Sequence, residues 1–211
     1  MRQIIFTVAI LFSLNALADP VVKLNELMSA MATLQVKFNL EVRNASNNEL
    51  IEENSGALSV KRPGFFHVHT KEPYEQFIIS DQQVIWTYDV DLEQVDVELV
   101  DERLQQTPFL LLSGDVEAIR KNFAVGEPET KGKIQRFHLS PQDSNASYDK
   151  IELRFDNRIL TAMQWSNTLG EISTIEFSDI KVNTEVPDSL FQFKPPSGVT
   201  VDGGDISSFQ P

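Results

Sequence analysis

Residues 35–43 read Gln-Val-Lys-Phe-Asn-Leu-Glu-Val-Arg, and this stretch indicates the fold class. Its apolar residues alternate with polar ones at a period of two, which is typical of a β-strand with one apolar face. Similar stretches, separated by turn residues, recur along the chain. They occupy about 49–61, 64–71, 75–80, 83–89, 93–100, 123–127, 133–140, 147–156, 158–166, 171–182, 192–194 and 199–201. Because strand follows strand, the sequence predicts a mainly β protein with an antiparallel sheet.

Helical patterns are few and short. Residues 20–34 carry apolar side chains at three- and four-residue steps, with Pro20 suited to a first turn and Asp19 to a cap. Shorter helices are predicted at 108–113 and 115–122. A large sheet with one apolar face needs cover, so we expect a strongly bent sheet with helices over its concave side. The pattern leaves open whether this bowl encloses a cavity or an ordinary filled core.

Composition removes several functional classes. The 211 residues include 31 acidic and 18 basic ones, a net charge of −13 and no cysteine. The missing cysteine excludes disulfides, thiolate metal sites and an acylated N-terminal cysteine. The negative charge argues against binding nucleic acid or resting on an anionic membrane. Residues 1–18 resemble a signal peptide ending in Ala16-Leu17-Ala18, so we expect export and a single domain over 19–211.

No catalytic constellation is evident in the sequence. Neither a nucleophile elbow, a phosphate loop nor a dinucleotide fingerprint is present. His67 and His69 share a strand face, but no third metal ligand lies near them in sequence, so no metal site or cofactor is predicted. Arg62, in the turn Lys61-Arg62-Pro63, is either a surface residue or a donor to the unpaired carbonyls at a helix end.

Several motifs in a fixed order resemble the LolA family, the periplasmic carriers of outer-membrane lipoproteins. They are the first helix running into Phe38, then Lys61-Arg62-Pro63-x-x-Phe66, Ser80-Asp81, Val84-x-Trp86-x-Tyr88, Thr107-Pro108-Phe109-x-Leu111, and Phe191-x-Phe193-x-Pro195-Pro196-x-Gly198-Val199-x-Val201. The resemblance implies an incomplete, strongly curved antiparallel β-barrel with a short-helix lid over its concave apolar face. It also implies a chaperone without enzymatic activity, a monomer that takes lipoproteins from the inner-membrane ABC transporter LolCDE and delivers them to the outer-membrane receptor LolB.

The same resemblance assigns residues to roles. Arg62 would close the lid through groups near Met28, Leu112 and Ser113. The cavity for the acyl chains would be lined by six apolar residues: Phe38, Phe66, Phe77, Trp86, Phe109 and Leu111. LolB shares this fold but is tethered through an acylated cysteine, which this chain lacks. The alternative is a periplasmic lipid or lipoprotein sensor of the RseB type, which carries an additional C-terminal domain.

Overall fold

The computed structural model describes residues 19–100, 111–112 and 116–203. Helix α1 is followed by six strands, helix α2, seven more strands and, before the last of them, a 3-10 helix. The bounds are α1 Pro20–Ser29, β1 Thr33–Asn44, β2 Leu50–Lys61, β3 Phe65–Glu72, β4 Gln76–Asp81, β5 Val84–Asp89, β6 Gln94–Leu99, α2 Val116–Asn122, β7 Phe123–Val125, β8 Glu129–Lys131, β9 Ile134–Pro141, β10 Tyr148–Asp156, β11 Ile159–Asn167, β12 Glu171–Val182, the 3-10 helix Asp188–Phe191 and β13 Thr200–Gly203. The expected signal peptide and most of the helix predicted at 108–113 lie outside the described residues.

The described strands form one sheet in the order β13-β6-β5-β4-β3-β2-β1-β12-β11-β10-β9-β7, with β8 also paired to β9. Every pairing is antiparallel except that of β13 with β6. This exception follows from connectivity, because residues 183–199 lead from β12 in the middle of the sheet to its far edge, and parallel strands require such a crossover. The two ends of the order do not pair, so the barrel is incomplete.

The sheet is curled around its helical cover. Strands β5 and β7 lie nine positions apart in the order, which would separate them by about 43 Å in a flat sheet. Helix α1 has ten residues, or a length of about 15 Å. Residues of α1, β5 and β7 nevertheless belong to one continuous apolar cluster, here called the inner cluster. The prediction of a curved, incomplete antiparallel barrel with helices over its concave face is therefore confirmed.

Two sequence predictions of local structure are wrong. The first helix ends at Ser29 and not near residue 34, because the backbone from Thr33 onward pairs with β2. Met31 and Leu34 remain buried, so their apolar character reflects the core and not a longer helix. The strand predicted near 192–194 does not form, and β8 was not predicted from its exposed polar residues.

A second cluster lies on the other face of β4, β5 and β6. This outer cluster contains Ile79, Val84, Trp86, Val95 and Val97, with Phe77, Tyr88, Phe193 and Val199 packed against it. The segment after the 3-10 helix covers it, and the rings of Trp86 and Phe193 are 5.6 Å apart. At this edge the sheet is therefore apolar on both faces, which a period-two pattern alone does not reveal.

Candidate functional site

Helix α1 lies over the concave face of the sheet. Asp19 caps it by accepting a hydrogen bond from the Val21 amide at 2.9 Å, and Pro20 occupies the first turn. Its inward side chains are all buried: Val21, Leu24, Leu27 and Met28. They pack in the inner cluster with side chains from ten of the thirteen described strands, from α2 and from residues 111–112. Because one face of α1 carries these contacts, α1 covers the bowl within the described part of the chain.

The space under α1 is filled by the protein's own side chains. Phe66, Phe137 and Phe155 are fully buried beneath it, and so are Leu24 and Met28 of the helix itself. Of the two alternatives left open by the sequence, these described side chains beneath α1 fit a packed interior. An apolar ligand that entered this packed region would have to displace α1 and the side chains that it inserts.

Arg62 lies where β2 ends, at the C-terminal end of α1. Its Nη1 donates to the Met31 carbonyl, and its Nη2 lies 3.8 Å from the Met28 sulfur. The Nε is buried without a partner, and no carboxylate among the described residues forms an ion pair with this guanidinium. Burial lowers the pKa of Arg62 to about 10, so the side chain remains charged near neutral pH. Arg62 thus places a cation at the negative end of the α1 dipole. Its described hydrogen-bond acceptors, the Met31 carbonyl and the Met28 sulfur, are both uncharged.

The contacts expected for Arg62 are found only in part. Met28 contacts Arg62, but through its sulfur and not its backbone, and the carbonyl acceptor is Met31. Leu112 is fully buried in the inner cluster, and within the described residues it forms no hydrogen bond with Arg62. Ser113 lies outside the described residues. The acceptor is Met31 because α1 ends at Ser29, so the backbone beside Arg62 is the short segment between α1 and β1, where the Arg62 amide also donates to the Ala32 carbonyl at 2.9 Å.

Asn183 holds the same junction from the opposite side, and sequence reasoning missed it. Its Nδ2 donates to the Ala30 carbonyl at 2.8 Å, and its Oδ1 accepts from the Ala32 amide at 2.8 Å. Asn183 has a positive φ of 55°, which asparagine tolerates better than most residues. Arg62 and Asn183 therefore contact the junction between α1 and β1 from two sides. The only signal in the sequence was an asparagine directly after a long predicted strand.

The other end of α1 is held by ion pairs. Asp19 contacts Arg120 of α2 at 3.0 Å, and Lys23 contacts Glu127 at 2.9 Å. The hydrogen bond from the Val21 amide and the Arg120 guanidinium hold the pKa of Asp19 below its usual value. All four side chains are accessible to solvent, so these contacts are weak and salt-sensitive. The cover thus combines hydrogen bonds at one end with exposed ion pairs at the other.

The structure separates the six residues expected to line a cavity. Phe38, Phe66 and Leu111 belong to the inner cluster. Phe77 and Trp86 belong to the outer cluster, so their expected place in the bowl is corrected. The reason is alternation along paired strands: Phe77 pairs with His69, whereas Phe66 and Val68 point to the opposite face. Phe109 lies outside the described residues.

The histidine pair on β3 is part of the outer face. The Nε2 of His69 donates a hydrogen bond to the Glu75 carboxylate at 2.8 Å, and the His69 ring stacks on Phe77 with centroids 4.2 Å apart. Burial and the neighbouring His69 lower the pKa of His67. Within the described ranges, no group of three or more candidate ligands could hold a metal ion.

These features define the fold class of this protein. It is an open, curled antiparallel sheet whose apolar concave face is covered by a helix. Within 19–100 and 116–203, no helix is long and apolar enough to cross a membrane. Among solved structures, an uncharacterized conserved protein from Thermus thermophilus has a similar fold. The TM-score is 0.51 at 11% identity, with coverage of 87% of this chain and 97% of that one.

Sequence comparisons identify the family. The family model described as "Outer membrane lipoprotein carrier protein LolA" matches residues 29–194. An outer-membrane lipoprotein carrier protein of Pseudomonas fluorescens strain Pf-5 is 37% identical over 202 residues, covering 95% of this chain and 97% of the relative. One from Pseudomonas putida strain KT2440 is 35% identical over 202 residues with the same coverage. The chain therefore belongs to the LolA family of outer-membrane lipoprotein carrier proteins.

Proposed function

We propose that this protein carries acylated lipoproteins through the periplasm as a soluble, non-enzymatic chaperone. It takes them from the inner-membrane transporter LolCDE and delivers them to LolB in the outer membrane. Residues 1–18 serve as the export signal. Membership of the LolA family supports this proposal. The observation that carries it is the apolar interior that α1 covers, because fatty tails in transit need a hollow that can be emptied.

The energies of cover and cargo are matched. Burying the four inward side chains of α1 is worth about 6–12 kcal/mol at roughly 1.5–3 kcal/mol each. Burying one long acyl chain is worth on the order of 10 kcal/mol, at about 0.8 kcal/mol per methylene. One acyl chain of the cargo can therefore replace α1 in the bowl at a small net free energy. Such a balance permits both uptake and release, which a permanently filled core or a rigid, empty pocket would not.

Arg62 has a defined part in this proposal. Closing the cover gives its guanidinium one carbonyl and one sulfur contact but withdraws it from water without a carboxylate. Opening restores its hydration, which offsets the loss of those contacts. Arg62 therefore positions the end of α1 without holding it firmly. The acidic surface supports the same role, because a negatively charged carrier does not remain on anionic lipid between deliveries.

The experiment that tests the proposal locks the cover shut. The chain has no cysteine, so the variant Lys23→Cys/Glu127→Cys can be joined across the ion pair by a reducible bismaleimide cross-linker. We expect the unlocked protein to release lipoproteins from spheroplasts, the locked protein to release none, and reduction to restore release. The matched control is Lys37→Cys/Asp179→Cys, an exposed ion pair on the outer face of β1 and β12. Release by the locked protein at the unlocked rate would contradict the proposal.

A further inference from the structure

Five hairpin turns of the described strands lie at one end of the sheet. One of them, the β9–β10 turn at residues 142–147, carries no large exposed apolar residue, and the other four are neighbours. In an up-and-down antiparallel sheet, successive turns alternate between the two ends, and the pairing of Asn44 with Glu171 brings the β11–β12 turn beside the β1–β2 turn. The β1–β2, β3–β4, β5–β6 and β11–β12 turns therefore follow one another along a single edge. At about 4.8 Å per strand, neighbouring turns lie about 10 Å apart. We call this edge, made of residues 44–53, 71–75, 89–93 and 167–171, the acidic rim.

Each of three turns, and the first two residues of β2 directly after the β1–β2 turn, presents a large apolar side chain to solvent. The exposed fractions are 81% for Leu169, 70% for Leu92, 68% for Tyr74 and 50% for Ile51, and the neighbouring Leu50 is also exposed. Single exposed apolar residues are ordinary on a protein surface. Four neighbouring turns that all carry one in or directly beside them are different, because turns favour small and polar residues. A shared edge of apolar side chains points to an interaction surface.

The opposite end of the sheet provides an internal comparison. Its hairpin turns comprise residues 61–64, 81–83, 131–133 and 156–158. None of the large exposed apolar residues in the described part of the chain lies in them. These turns contain five basic and two acidic residues, whereas the acidic rim contains nine acidic residues and one basic residue, Lys71. The two ends of the barrel therefore differ both in apolar exposure and in the sign of their charge.

We infer that the acidic rim is a docking surface for a protein whose surface carries lysine and arginine side chains around apolar recesses. Charge complementarity identifies this occupant. Carboxylates around Leu50, Tyr74, Leu92 and Leu169 attract a basic surface and steer its approach, while the apolar side chains supply the contact that persists after docking. A membrane is disfavoured, because anionic lipid repels nine carboxylates. This inference rests on the proposed function, since a carrier must engage protein partners to receive and deliver cargo.

The first test measures binding of the fluorescently labelled protein to native membrane vesicles, to the same vesicles after protease treatment, and to protein-free phosphatidylethanolamine/phosphatidylglycerol vesicles. The rim variant is Leu50→Ser/Tyr74→Ser/Leu92→Ser/Leu169→Ser. The control variant is Leu99→Ser, which alters an apolar residue of 40% exposure at the end of β6 opposite the acidic rim. We expect the wild type and the control to bind native vesicles alike, and the rim variant to bind at least about tenfold more weakly.

Charge is tested separately with Glu52→Lys/Glu53→Lys/Asp91→Lys. Reversing these exposed carboxylates should weaken binding to native vesicles, and raising the salt concentration should weaken wild-type binding in the same direction. Protease treatment of the vesicles should abolish binding. Equal binding by the rim variant and the wild type would overturn the inference. Binding to protein-free vesicles that the rim variant loses would also overturn it, because the surface would then recognise lipid.

Failure of the rim and failure of the carrier role are distinguishable. Lipoprotein release from spheroplasts reports on carriage, whereas vesicle binding reports on docking without cargo. If the wild type releases lipoproteins and the rim variant does so equally well while binding vesicles normally, only the rim inference fails. If the wild type releases none, the carrier role fails, and vesicle binding still decides whether the acidic rim docks to a protein.

Discussion

Leu24→Ala should make the protein bind acyl chains more tightly. Leu24 lies in the middle of the inward face of α1 and is fully buried in the inner cluster. The substitution leaves the sheet intact and removes part of what the cover places in the bowl. Because cargo and cover compete for the same apolar space, a weaker competitor favours the cargo.

The size of the effect follows from burial. Replacing a fully buried leucine by alanine costs about 2–5 kcal/mol in well-packed cores. All of that loss falls on the closed state, because Leu24 has no packing to lose once α1 is displaced. Even the lower value corresponds to about a 30-fold gain in affinity for an acyl ligand, since 1.4 kcal/mol equals a factor of ten. Release to an acceptor should slow correspondingly.

The assay is titration of the purified protein with a fluorescent synthetic lipopeptide, together with urea unfolding followed by circular dichroism. The matched control is Ile79→Ala, which removes a similarly sized and buried side chain from the outer cluster. Ile79→Ala should lower the free energy of unfolding by about 2–5 kcal/mol without changing lipopeptide affinity. The reasoning is refuted if Leu24→Ala binds the lipopeptide no more tightly than Ile79→Ala does.

Three further predictions concern the surroundings of α1 and the sheet beneath it. Asn183→Gly removes both hydrogen bonds to the loop after α1 but can keep the positive φ. Hydrogen exchange of the α1 amides should therefore accelerate about tenfold or more. Asn183→Asp retains the acceptor and should accelerate this exchange less. Arg62→Met should change the free energy of unfolding by less than about 1 kcal/mol. The lost hydrogen bond to Met31 is worth about 1.5–3 kcal/mol. The substitution also removes the cost of burying the charged guanidinium, which is roughly 3 kcal/mol for a pKa of about 10, so the two effects nearly cancel. A larger loss of unfolding free energy in urea would contradict this cancellation. Gly56→Ala should prevent soluble expression or lower the melting temperature sharply, because a Cβ there would lie 2.1 Å from the His69 carbonyl oxygen. A normal melting curve would disprove this clash.

At one edge of the sheet, side chains are buried on both faces. For this reason the sequence-based prediction placed Phe77 and Trp86 on the wrong face, in the cavity. A period of two reports that alternate residues share a face, but it does not report which face is the concave one. Phe77 and Trp86 lie on β4 and β5, where the C-terminal segment covers the outer face with Phe193. That cover comes from more than 100 residues away in the chain, so no local pattern could reveal it.

The sequence by itself determined the class of fold, the antiparallel order of most strands, the apolar stripe of α1 and the family, because these depend on local periodicity and on motifs read in order. The tertiary structure alone decided how the cover is held: Asn183 against residues 30–32, Arg120 and Glu127 against the other end of α1, and Met31 as the acceptor of Arg62. These contacts join positions 31 to 153 residues apart, and their partners are backbone carbonyls and common charged side chains that leave no signature in sequence. The physical reason is that apolar burial selects the fold, whereas the geometry of curling decides which polar groups meet at its edges.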